Sequence, residues 1–216
     1  MKRETIQIIL NVIAIALIIF LPYAELFPFF GYSIPIILFT WLVLKYSNET
    51  FSDIGFSLNL LTPKSIIVGG IVAILTFAFM QFIFHPILNV FVPLEYDDAG
   101  LNDTIQGGTL QFLIMVIMGW LIGGFYEEIV FHGFIFTRLE KMINLSYSTQ
   151  ISFVITAVIF GAYHILLGPS GIINAFVVGA VYLGLFVYFK RNLWYSIFCH
   201  GFYNTMVMTL IYFDYV

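Results

Sequence analysis

Thr109 to Arg138 reads TLQFLIMVIMGWLIGGFYEEIVFHGFIFTR. The run is longer than the about 20 helical residues needed to cross a hydrocarbon core of about 30 Å. It therefore reads as a membrane-crossing helix and sets the fold class as all-α. Glu127, Glu128 and His132 nevertheless lie inside it. Ionisable groups at membrane depth are costly and mark a functional site by default. His164 stands in a second hydrophobic segment, and His200 and Asn204 stand in a third.

Composition extends the same reading to the whole chain. Of 216 residues, 61% are hydrophobic and 9% charged, where a soluble domain carries about 25% charged residues. This is the signature of a polytopic membrane helix bundle embedded in a lipid bilayer, located in the cell membrane. Nothing points to nucleic acid, and a net charge of −4 says less than the placement of each Lys and Arg. Cys199 is the single cysteine. It cannot form an intramolecular disulfide and reads as a small packing residue rather than a nucleophile.

Seven apolar runs are predicted to span, over about 6–28, 31–46, 65–92, 109–138, 150–167, 171–189 and 193–213. The first has a basic start but is too long for a signal sequence and lacks a small-residue cleavage site, so it is expected to be retained. With this count, Lys2, Arg3, Lys45, Lys64, Arg138, Lys141, Lys190 and Arg191 all fall on one side. The opposite side carries the acidic stretch with Glu95, Asp97, Asp98 and Asp103. Basic residues gather in short cytoplasmic loops, which predicts an inside amino terminus and an outside carboxyl terminus. No repeat or linker divides the chain, so 1–216 is expected to be one integral membrane domain, with the polar motifs in a core at 109–204.

Helical rise places these polar groups at similar depths. Measured from the basic end of each span at about 1.5 Å per residue, Glu127 lies about 16 Å deep, His164 about 21 Å, and His200 and Asn204 about 10 to 17 Å. Residues four apart share a helix face, whereas adjacent residues diverge by about 100°. Glu128 is thus expected to pair with His132, and His200 to share a face with Asn204, while Glu127 aims at the histidines of other spans. Two central carboxylates cost more than interhelical hydrogen bonds return, since the latter average about 0.6 kcal/mol in membranes. Gly119, Gly123 and Gly124 precede the pair and allow close helix approach there. His85, near the outer end of the third run, reads as an interfacial or kink-side residue, and Asn11, Gln81 and Asn174 as helix-bonding groups.

Three segments, Glu127-Glu128-Ile129-Val130-Phe131-His132, Phe160-Gly161-Ala162-Tyr163-His164 and His200-Gly201-Phe202-Tyr203-Asn204, resemble the motifs of the CaaX-protease and bacteriocin-processing intramembrane proteases. That family's patterns are E-E-x-x-x-R, F-x-x-x-H and H-x-x-x-N or D, in this order. Ser52-Asp53-Ile54-Gly55-Phe56 is similar to a recurring element ahead of the family's core. One position departs: His132 stands where the family has arginine, and it need not be charged at neutral pH.

The resemblance implies hydrolysis of a peptide bond in a membrane peptide or lipidated protein. Glu127 would be the base, His164 would hold the water, His200 and Asn204 would stabilise the oxyanion, and Glu128 with His132 would support them. A zinc ion on His164, His200 and Glu127 is the metal version of the same chemistry. Two other function classes stay open. One is a non-proteolytic bacteriocin-immunity or accessory protein of the family. The other is a proton-coupled transporter, against which stands the lack of carboxylates leading to both surfaces.

Overall fold

The computed structural model describes residues 3–28, 30–92, 100–143 and 145–215. Among them every regular element is helical: α1 (Arg3–Phe20), α2 (Ser33–Tyr46), α3 (Pro63–Phe79), α4 (His85–Phe91), α5 (Leu101–Gln106), α6 (Thr109–Met118), α7 (Phe136–Met142), α8 (Ser148–Tyr163), α9 (Gly168–Tyr188) and α10 (Leu193–Tyr212). A π-helical turn, Met80–Phe84, joins α3 to α4. A π-helix of 17 residues, Gly119–Ile135, joins α6 to α7. Each pair is therefore one continuous rod.

Among the described residues, four rods are long and apolar enough to cross a membrane: Arg3–Ala24, Pro63–Phe91, Thr109–Met142 and Ile165–Tyr188. Ser33–Tyr46 and Ser148–Tyr163 are apolar but shorter. α10 has the length, with 20 residues, but His200, Asn204, Thr205 and Thr209 dilute its hydropathy. The apolar surface faces outward along these rods. Leu110, Leu113, Ile117 and Leu121 repeat on α6 and its extension and are half-exposed or more. Such a stripe would be a liability in water and is the ordinary solution in lipid.

Local chemistry sets the ends. At the start of α3, Thr62 and Ser65 exchange side chain to backbone hydrogen bonds as a capping box, with Pro63 in the first turn. At the start of α10, the Asn192 side chain accepts from the Trp194 amide at 3.0 Å. α8 stops at His164, whose ψ of 26° leaves the helical range.

The Ser52–Phe56 element overlaps a 3-10 turn, Phe51–Ile54, which Thr50 and Asp53 cap and Gly55 ends. It is docked under α10: the Leu193 amide donates to the Gly55 carbonyl at 3.1 Å, and the Trp194 indole donates to the Ser57 carbonyl at 2.8 Å. Gly55 has φ +90°, and a Cβ there would lie 2.2 Å from the Arg191 carbonyl oxygen, so the turn requires glycine.

α3 packs closely on α10, α10 on the π-helix, and α8 on α9. Cys199 is fully buried in the α3–α9–α10 cluster, a packing position. His85 Nε2 meets Asn174 Oδ1 at 2.9 Å, tying α4 to α9, whereas Asn11 Oδ1 is buried without a hydrogen-bond partner.

Basic residues collect at one end of the bundle. Arg3 donates to the Tyr46 carbonyl at 3.1 Å, Arg138 and Lys141 both pair with Glu49, Arg191 pairs with Glu140 at 2.7 Å, and Lys64 lies over the Phe189 ring. Lys2, Glu95, Asp97 and Asp98 lie outside the described residues.

Candidate active site

The π-helix supplies Glu127, Glu128 and His132, all buried. Glu128 and His132 share a face as expected from their spacing, and the His132 Nδ1 to Glu128 Oε2 distance is 2.7 Å. The other oxygen of the same carboxylate takes His200: Nδ1 to Oε1 is 2.8 Å. One carboxylate thus accepts from two imidazoles on two rods. With its Nδ1 on Glu128, His200 turns its Nε2 towards Glu127, whose Oε2 lies 3.9 Å from it.

The adjacent carboxylates therefore meet one ring through its two nitrogens, where the α-helical reading had aimed only Glu127 at the other spans. The widened i→i+5 winding explains the difference, because more residues per turn reduce the angle between neighbours. π segments inside helices are rare and occur often at functional sites.

Gly123 opens the space in front of this ring. A Cβ there would sit 2.4 Å from Asn204 Nδ2 and 3.0 Å from His200 Nε2. The two polar groups of α10 therefore converge on the bare Cα of the facing rod. Gly119 and Gly124 serve the same approach: a Cβ on Gly119 would meet Met208 at 2.9 Å, and one on Gly124 would touch Gly201 at 3.7 Å. Asn204 Nδ2 also lies 3.5 Å from the Gly119 carbonyl oxygen.

His164, at the end of α8, donates from Nδ1 to the Phe160 carbonyl at 2.8 Å, which leaves Nε2 as the acceptor of a neutral ring. It joins the group through the Phe160 ring rather than through a hydrogen bond. That ring lies 4.8 Å from His164, 5.2 Å from His132 and 6.2 Å from His200.

Among the described residues, no three His, Cys, Asp or Glu side chains form a group that could hold a metal ion. His164, His200 and Glu127, the zinc set named from the sequence, do not converge as ligands in this geometry.

Sequence reasoning missed Tyr182 of α9. Its ring is stacked on His200, centroids 4.4 Å apart and planes at 20°, and it carries no motif spacing that would single it out from 13 tyrosines. It also missed the tyrosines near Glu127. The Tyr23 hydroxyl donates to the Tyr163 carbonyl, the Tyr163 hydroxyl donates to Tyr32 at 3.3 Å, and the Tyr32 ring meets Tyr126 at 5.9 Å. Tyr126 and Tyr163 directly precede Glu127 and His164, a signal that was present in the sequence.

Residues 109–206 match the family model described as type II CAAX prenyl endopeptidase Rce1-like. The match covers all six polar residues and is the family that the three motifs resemble. No curated protein and no solved structure matches the chain. With four helices long and apolar enough to span a bilayer, the match supports an integral membrane protein and, in general terms, a peptidase of the CAAX type.

Proposed function

We propose that the chain is an intramembrane endopeptidase that hydrolyses a peptide bond in a membrane-associated or lipidated peptide. In this reading it crosses the bilayer seven times, with the basic end of the bundle inside. The observation that carries the reading is the gap of 3.9 Å between the Glu127 carboxylate and His200 Nε2, beside the bare Cα of Gly123 onto which Asn204 Nδ2 converges. The gap is too long for a direct hydrogen bond and suits a bridging water.

Glu127 takes a proton from that water as the oxygen attacks the scissile carbonyl carbon. The carbonyl oxygen becomes an oxyanion and accepts from Asn204 Nδ2 and from His200 Nε2 of the imidazolium, whose charge Glu128 balances. Glu127 then passes its proton to the leaving nitrogen, and the C–N bond breaks. His164, with Nδ1 on the Phe160 carbonyl, keeps its Nε2 free and, as the resemblance implies, helps to hold the water. His132 takes the role of the family's arginine by holding Glu128 in place.

The membrane peptidome of cells carrying the native chain, compared with that of cells carrying Glu127→Gln, tests this reading. Glutamine keeps the shape and cannot act as the base, so products that vanish in the variant are expected. Identical peptidomes would overturn the proposal. A bacteriocin-immunity phenotype unaffected by the substitution would then assign the chain to the non-proteolytic role, and proton flux in vesicles would assign it to transport.

A further inference from the structure

Catalysis by His200 requires its ring to be held in one orientation, and its own side chain does not provide that. The terminal torsion of histidine is broad and roughly two-fold. A bond from Nδ1 to Glu128 selects which edge of the ring faces the carboxylate, but it leaves the ring free to tilt about that bond.

The remaining constraint comes from α9. The Tyr182 ring is fully buried and lies nearly parallel to the His200 imidazole, with centroids 4.4 Å apart. The Phe160 ring stands edge-on to the same imidazole at 82°. Tyr182 also meets His132 edge-on at 6.4 Å, so one ring touches both imidazoles that Glu128 accepts from. The Tyr182 hydroxyl is buried without a hydrogen-bond partner, which assigns the contact to the ring face. Gly179, one turn earlier on α9, lets the assembly close, since a Cβ there would stand 2.3 Å from the Phe160 ring.

We infer that Tyr182 is a positioning residue for the proposed hydrolysis: its ring fixes the plane of the His200 imidazole, so that Nδ1 stays on Glu128 and Nε2 stays turned towards Glu127. The inference rests on the hydrolytic reading above for its consequence, though not for its geometry.

Two measurements on the full chain in nanodiscs test it. In the first, the ring nitrogens of ¹⁵N-labelled histidine are followed by NMR, with the His200 signals assigned by their loss in His200→Asn. Tyr182→Leu is expected to shift or broaden the His200 nitrogens while leaving those of His85 in place, and Tyr182→Phe is expected to restore the native signals. In the second, cleavage of a fluorogenic farnesylated CaaX-type peptide is expected to lose on the order of a hundredfold in kcat in Tyr182→Leu, the cost of a small misplacement of a reacting group, with KM little changed and with recovery in Tyr182→Phe.

Native His200 signals in Tyr182→Leu overturn the inference whether or not the peptide is cleaved. A Tyr182→Phe variant as impaired as Tyr182→Leu overturns it as well. Tyr182→Met, an unbranched filler of the same space, replaces the leucine variant if that one does not fold. Cleavage that persists in Glu127→Gln would instead remove the hydrolytic reading and leave the NMR result standing.

Discussion

At the scale of single residues, the site turns on one carboxylate shared by two rings and on one missing methyl group. Glu128 is fully buried and accepts from both His132 and His200. Removing it leaves two buried imidazoles without their acceptor, and breaking a buried pair from one side costs about 3–5 kcal/mol. Glu128→Ala is therefore expected to lower thermal stability in detergent strongly as well as to abolish cleavage, whereas Glu127→Gln should leave stability near native, because Glu127 accepts no hydrogen bond from His200 at 3.9 Å. Gly123→Ala makes the opposite separation. Its Cβ would press on the far end of the Asn204 side chain, 2.4 Å away, and that end can swing aside, so the fold should persist while the proposed oxyanion cradle is lost. Loss of one such donor costs about a hundredfold to a thousandfold in kcat. A Gly123→Ala variant with native kcat would remove Asn204 from the mechanism.

At the scale of elements, α10 is the rod on which the site is assembled, and its fit depends on how closely α3 and the π-helix approach it. Gly69 of α3 faces α10 backbone: a Cβ would lie 3.0 Å from both the Cys199 nitrogen and the Tyr195 carbonyl oxygen, and 2.6 Å from Phe198 Cβ. None of these atoms is a flexible tip. Gly69→Ala must separate the helices and is expected to cost about 1–3 kcal/mol, as overpacking does, read as a lower unfolding temperature. Gly70, its neighbour, has only ordinary contacts at 3.6 Å, so Gly70→Ala is expected to be neutral or slightly stabilising through helix propensity of about 1 kcal/mol. Equal effects at the two positions would mean that α3 and α10 do not cross at Gly69. The π winding of Gly119–Ile135 matters at the same scale, since it turns two adjacent glutamates towards one imidazole.

For the whole molecule, the basic end of the bundle is fastened by charge pairs between the last turns of the rods and the loops beside them. Burial pushes the Glu49 carboxyl up, but hydrogen bonds from Lys141 and Arg138, with their charges, outweigh burial and hold it below the usual carboxylate range. A depressed native value means that the unfolded chain binds the proton more readily, so this clamp stabilises above the ordinary glutamate value of about 4.3 and is lost as pH falls through the lower native value. Glu49→Gln should therefore be less stable than the native chain at neutral pH and should lose less on acidification, as pH-dependent unfolding will show. Parallel acid profiles would mean that Glu49 is not clamped. Helical class, the apolar runs, the basic end and the six polar residues were legible in the sequence, because hydropathy, charge placement and spacing are properties of the chain read along its own length. Depth along a rod follows from the same count, which is why Glu127, His164, His200 and Asn204 could be grouped. Tertiary packing alone decided that Glu128 rather than Glu127 accepts from His200, that Gly123 leaves the space on which Asn204 converges, and that Tyr182 covers the ring. Each of these depends on how a helix is wound and rotated about its axis, and that rotation is set by the neighbours it packs against.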